Sequence, residues 1–87
     1  MATVWIPPQM QALTGGKEQV RAAGSTVREL IADLELSYPG MFDRLCEDDR
    51  VKPTIAVVVN GEISTMGVRQ KVPADAEVNF LPAISGG

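Results

Sequence analysis

The chain has no histidine and a single cysteine, Cys46, among its 87 residues. These two absences exclude an intramolecular disulfide, a Cys/His zinc cluster and any mechanism built on a histidine base, the Ser-His-Asp triad included. Positive charge is also sparse: eight Lys and Arg, scattered from Lys17 to Lys71, face eleven Asp and Glu, for a net charge of −3. With no basic run to follow a phosphate backbone, nucleic acid is not an expected partner. No stretch approaches the ~20 apolar residues of a membrane span. The opening MATVWIPP lacks the basic n-region and long apolar segment of a secretion signal, so no membrane association and a cytoplasmic location are expected.

What is present suits a folded chain, with 45% hydrophobic and 22% charged residues. A single domain of this length buries only about 60% of the surface its unfolded chain exposes. Deep catalytic clefts are hard to build on so small a core, which favours a binding or carrier role over an enzyme.

Residues 3–6 alternate, placing Val4 and Ile6 on one face of a strand and Trp5 on the other, and Pro7-Pro8 ends the strand. Gly15-Gly16 signals a turn, and residues 17–22 alternate again with Val20 and Ala22 on one side, giving a hairpin with a long connection. Thr26 and Glu29 have capping-box spacing. Val27, Leu30, Ile31, Leu34 and Tyr38 then recur at intervals of three and four, predicting an amphipathic helix over 27–38 that Pro39-Gly40 stops. Met41, Phe42 and Leu45 suggest a short second helical turn, Cys46 a half-buried small hydrophobe, and Glu47-Asp48-Asp49 a solvated loop. TIAVVVN, residues 54–60, reads as a central strand buried on both faces. Asn60-Gly61 is a favoured two-residue hairpin turn that folds residues 62–64 back beside it. Residues 67–72 are open between a short strand and an extended loop. Residues 73–76 turn the chain into a last strand with Val78 and Phe80 on one face and Asn79 and Leu81 on the other. The ββαββ order predicts an α+β fold of the β-grasp type, a mixed sheet of four or five strands with one main helix on one face.

Four pieces resemble the ubiquitin-like sulfur carriers of the MoaD/ThiS family: TVRELIADLELSYPG at the helix, VVVNGE at the hairpin, AEVNFLPA at the last strand, and the terminal Gly86-Gly87. Within that family the opening VWIPPQMQALTGGKEQV is most similar to the CysO-type carriers linked to cysteine biosynthesis. One departure is visible. Members often turn into the last strand through Asp-Gly-Asp-Glu-Val, whereas this chain has Ala74-Asp75-Ala76-Glu77-Val78, and a turn without glycine is expected to avoid positive φ.

The resemblance implies a carrier rather than an enzyme. A β-grasp domain over 1–84 would present a flexible tail, 85–87, whose Gly87 carboxylate is adenylated and then converted to a thiocarboxylate. It implies no bound cofactor or metal; ATP is consumed by the activating partner, an adenylyltransferase related to ubiquitin-activating enzymes. A sulfur-accepting synthase would follow, either a pyridoxal-phosphate-dependent cysteine synthase, with a metallopeptidase to release the product, or another thio-synthase. The alternative acceptors are a molybdopterin precursor, a thiazole, a tRNA base, or a thiosugar or other secondary metabolite. A protein-modifier role, joining the glycine carboxylate to lysines, is the reading from another class. Gly86 and Gly87 form the reactive tail; without a Cβ they pass a narrow channel and leave the carbonyl carbon open to attack. Leu81, Pro82, Ile84 and Ser85 are the candidate partner contacts, with Leu81 or Ile84 alternatively closing the core and Trp5 open to either role. The carrier is expected to be a monomer that binds its partners transiently.

Overall fold

Alternation at the start of the chain builds β1 (Ala2–Trp5), which buries Ala2 and Val4 and turns Trp5 outward. The computed structural model describes residues 1–82. In it the long connection after β1 is a 3₁₀ helix, Pro8–Thr14, opened by a proline whose fixed φ suits a first turn. Met10 and Thr14 are its buried residues, and the Thr14 hydroxyl lies 2.9 Å from the Lys17 carbonyl oxygen. The chain then returns as β2 (Gln19–Ala22), antiparallel to β1 with Val20 opposite Val4.

The predicted helix forms as α1 (Val27–Ser37), burying Val27, Leu30, Ile31 and Leu34. Thr26 Oγ1 accepts the Glu29 N–H at 3.2 Å. The reciprocal half of the box is displaced by one residue, because the Glu29 carboxylate takes the Ser25 N–H at 2.8 Å and the Ser25 hydroxyl at 3.0 Å. These bonds, the backbone one first, hold the Glu29 carboxyl below its ordinary value. Just upstream, Gly24 has φ +141, and a Cβ there would sit 2.7 Å from the Leu30 backbone nitrogen. The approach of the chain to α1 therefore requires glycine. At the other end, Glu35 accepts N–H bonds from Gly40 at 3.2 Å and Phe42 at 2.8 Å, tying α1 to α2 (Met41–Leu45).

The acidic stretch is not simply a loop. β3 (Cys46–Glu47) and β4 (Arg50–Val51) form a small hairpin, with Asp48 at φ 58 in its exposed turn. Cys46 is buried rather than half-buried, and burial pushes its thiol pKa up.

β5 (Ile55–Val59), β6 (Glu62–Ile63) and β7 (Glu77–Pro82) complete, among the described residues, a five-stranded sheet of order β2-β1-β7-β5-β6. The central place belongs to β7, parallel to β1 and antiparallel to β5, and not to β5 as the hydrophobic run suggested. β5 is buried at Val57, Val58 and Val59 but only half-buried at Ile55 and Ala56. Asn60 and Gly61, at φ 51 and 84, make the expected hairpin turn. The Asn60 side-chain oxygen also accepts the Glu77 N–H at 2.9 Å while the Asn60 backbone N–H donates to the Glu77 carbonyl at 2.8 Å, which anchors the turn to the start of β7.

Residues 67–72 contain a 3₁₀ turn, Gly67–Arg69, and one β-bridge from Lys71 to Thr26. The glycine-free turn before β7 does use positive φ: Asp75 stands at 59, a region that Asp, with its short polar side chain, tolerates better than most residues. The apolar faces of α1 and the sheet meet in one core that includes Val4, Leu30, Leu34, Val59, Val78 and Phe80.

Candidate functional site

The alternation along β7 decides what the last strand offers a partner. Val78 and Phe80 point into the core, at 0% and 2% exposure, whereas Leu81 is 47% exposed and Pro82 is exposed at the strand end. Asn79 shares the open face of the sheet with Leu81 and is half-buried. Register extends that face in both directions. Trp5 stands beside Asn79 on β1, Ala56 opposite Leu81 and Val58 opposite Asn79 on β5, and Ile63 opposite Val58 on β6. The result is an apolar band across the side of the sheet away from α1, with Trp5 and Ile63 among its exposed members. The Trp5 indole N–H donates to Glu77 Oε1 at 3.1 Å, which fixes the ring against the strand that leads to the tail. Trp5, open between core and surface in the sequence, therefore belongs to the surface.

Pro82 stands between two clefts. One, of about 380 Å³, is lined by Met10, Ile55, Phe80 and Pro82 together with the side chains of Arg44 and Lys52. The other, of about 280 Å³, lies on the Trp5 side and shares Pro7, Leu81 and Pro82 with it. Ion pairs among the described residues join Arg21 to Asp75 and Arg28 to Asp49; Arg44 and Lys52 take part in neither.

Of the predicted contact residues, Leu81 and Pro82 are placed together at the exposed end of β7. Ile84, Ser85, Gly86 and Gly87 lie outside the described residues, as does the boundary between a 1–84 domain and an 85–87 tail. Ala56, Val58 and Ile63 were missed as neighbours of Leu81. The two-residue Asn60-Gly61 turn would have paired Val58 with Ile63, but the partnership of β5 with β7 has no local signal. Nothing in the sequence marked Arg44 and Lys52, which come together through the unanticipated β3–β4 hairpin. Buried Cys46 has the environment of an inert structural thiol. Among the described residues no helix is long and apolar enough to cross a membrane.

The ThiS family model matches residues 4–87 of the chain. The sulfur carrier protein CysO of Mycobacterium tuberculosis is 34% identical over 90 residues, covering 98% of this chain and 97% of its own. A chain of the crystallised Amycolatopsis orientalis BexX/CysO complex superposes with a TM-score of 0.91 at 35% identity, covering 100% of both chains. Small archaeal modifier protein 3 of Haloferax volcanii is 32% identical over 65 residues, 72% of this chain and 71% of its own. The β-grasp architecture expected from the ββαββ order is the one the superposed chain of the BexX/CysO complex shares with this chain.

Proposed function

The chain belongs to the ThiS family, and from that premise we propose that it is a sulfur carrier whose Gly87 is converted to a thiocarboxylate that donates sulfide in biosynthesis, cysteine being the favoured product. The observation that carries this reading is the near full-length similarity to the sulfur carrier CysO.

The chemistry follows from the weakness of a carboxylate as an electrophile. On a partner adenylyltransferase, a Gly87 carboxylate oxygen attacks the α-phosphate of ATP and pyrophosphate leaves. Hydrosulfide then attacks the carbonyl carbon, the acyl C–O bond to the phosphate breaks, and AMP departs with that oxygen while the S–H proton is lost to solvent. The product is an anionic thiocarboxylate that a synthase can use as nucleophile. The carrier is proposed to bring the terminal carboxylate, recognition and a slender end, while general bases and metals come from its partners. Gly86 and Gly87 let the tail thread to a buried centre, and a side chain at Gly87 would crowd the carbon under attack.

The open sheet face supports the recognition half of the proposal. Exposed Trp5, Ile63 and Leu81, with half-buried Ala56 and buried Val58 between them, form an apolar face continuous with the strand that feeds the tail, as a transient docking surface requires. That a similar chain is found in the BexX/CysO complex supports a carrier that works bound to another protein. In the cysteine route those partners are the adenylyltransferase, a pyridoxal-phosphate-dependent synthase and a metallopeptidase.

A second reading, conjugation to protein lysines, is favoured by the similarity to a small archaeal modifier protein. Intact mass after incubation with ATP, the cognate adenylyltransferase and a sulfide source tests the first. A gain equal to replacing one oxygen by sulfur, absent when Gly87 is deleted, is expected. No gain, together with a reductant-resistant ladder of heavier conjugates in cells, would establish the modifier reading in its place.

A further inference from the structure

Three of the chain's eight cations meet at one cleft that the carrier reading does not use. Arg28 from the first turn of α1, with Arg69 and Lys71 from the segment that holds the 3₁₀ turn, rims an open space of about 510 Å³. Its floor is apolar, made by Met66, which is 53% exposed, and half-buried Val68. No acidic side chain lines it. Glu29, near enough for Lys71 to act on its charge, is committed to the Ser25 N–H and hydroxyl, and Asp49 meets Arg28 only at 3.9 Å in an exposed pair. Arg69 and Lys71 join no ion pair among the described residues.

We propose that this cleft docks a short segment of a partner protein in which one apolar side chain is flanked by carboxylates. Charge complementarity selects that occupant. An apolar floor ringed by three cations is the complement of an apolar anchor with an acidic surround, the usual division of an interface into a dry centre and a polar rim. A nucleic acid would need the basic track to continue. Here the Arg28–Asp49 contact brings the acidic β3–β4 turn to the edge of the cleft, in a chain whose net charge is −3. The walls are also set before any partner arrives. Lys71 is bridged to Thr26, the Val27 N–H donates to the Gln70 carbonyl at 2.9 Å, and the Gln70 side chain accepts the Ser64 hydroxyl at 2.6 Å and donates to the Lys71 carbonyl at 2.9 Å.

The cleft shares no lining residue with the clefts at Pro82, and none with the Trp5–Leu81 face on the side of the sheet away from α1. A protein held here leaves that face uncovered. On the carrier reading, one partner can therefore keep its grip while another engages the face beside the last strand, a hand-over without release into solution. The docking itself does not depend on the chemistry at Gly87.

The test is an NMR titration of the full chain, labelled on backbone nitrogen and on the methionine methyls, with the end-blocked peptide Glu-Asp-Leu-Asp-Glu at low salt. Shifts are expected at the Met66 methyl and at the backbone of Arg28, Arg69 and Lys71. Affinity should fall about tenfold in an Arg69→Gln/Lys71→Gln variant and in high salt, and about fivefold in Met66→Ser. All three side chains are exposed, so both variants should melt as the native chain does. No shift at millimolar peptide, or binding that survives the charge variant, overturns the proposal. Binding indifferent to Met66→Ser would reduce the cleft to a bare anion contact, and tighter binding of a short oligothymidylate at the same residues would assign it to nucleic acid. Shifts that grow with the concentration of the chain alone would assign it to the acidic turn of a second copy; each of these outcomes also overturns it. Thiocarboxylate formation by the native chain is scored separately by mass, so that its failure counts against the carrier reading alone.

Discussion

Strand β7 carries Val78 and Phe80 on one side and Asn79 and Leu81 on the other, and the two sides differ in their cover. On the first, α1 lays Val27, Leu30, Ile31 and Leu34 over the sheet and exposure falls nearly to zero. On the second, Trp5, Ala56, Val58, Leu81 and Ile63 line up with no element across them among the described residues. Apolar residues therefore occur on both faces, and only the placement of the helix separates core from surface. On the proposed function, such an uncovered band beside the last strand is the surface kept for a second protein.

The largest test of this contrast sets Phe80→Ala against Leu81→Ala, neighbours on opposite faces. Truncating Phe80 should cost about 3–5 kcal/mol, read as a lower denaturant midpoint at unchanged m-value. Leu81→Ala should leave the midpoint nearly unmoved, yet weaken binding to the activating partner by about tenfold or more in titration calorimetry. Equal stability losses for the two would erase the distinction between the faces.

Next in size is the approach to the cover. Gly24→Ala forces a side chain into φ +141 and against the backbone of α1, with an expected loss of at least about 1–3 kcal/mol in chemical denaturation. Thr26→Ala removes only the acceptor for the Glu29 N–H, for a loss of about 1 kcal/mol. If the open face is a docking surface independent of helix capping, this variant should bind the partner as the native chain does.

The smallest effect is one of pH. Glu29 is held below its reference value of 4.5 in the folded chain, so its charged form stabilises the fold above that pH, and the contribution is lost as pH falls through the lowered folded value. Glu29→Gln should abolish this part of the acid dependence. Thermal melts between neutral pH and the acid limb should show the native chain losing more stability than the variant.

The elements that local periodicity and turn chemistry specify were legible: β1 and β2, α1 with its cap, the Asn60-Gly61 hairpin, and the in-and-out pattern of β7. What depended on distant partners was not. β5 looks central because it is apolar throughout, but centrality was decided by β1 and β5 accepting β7 between them. The β3–β4 hairpin is too short for alternation to register, and Asp75 shows that a missing glycine does not forbid a left-handed turn. For the functional site, the Leu81 side of β7 followed from a period of two, whereas the role assigned to Gly87 came from resemblance, since two glycines carry no chemistry visible in a pattern.

The insertion of β7 between β1 and β5 also has a consequence during synthesis. The strand that leads to the tail is the last of the sheet to leave the ribosome, and until it does the sheet exists only as two separated hairpins with open edges. A chain broken off before Glu77 lacks the strand that joins them. An incomplete copy of that kind would meet a protease as an open chain.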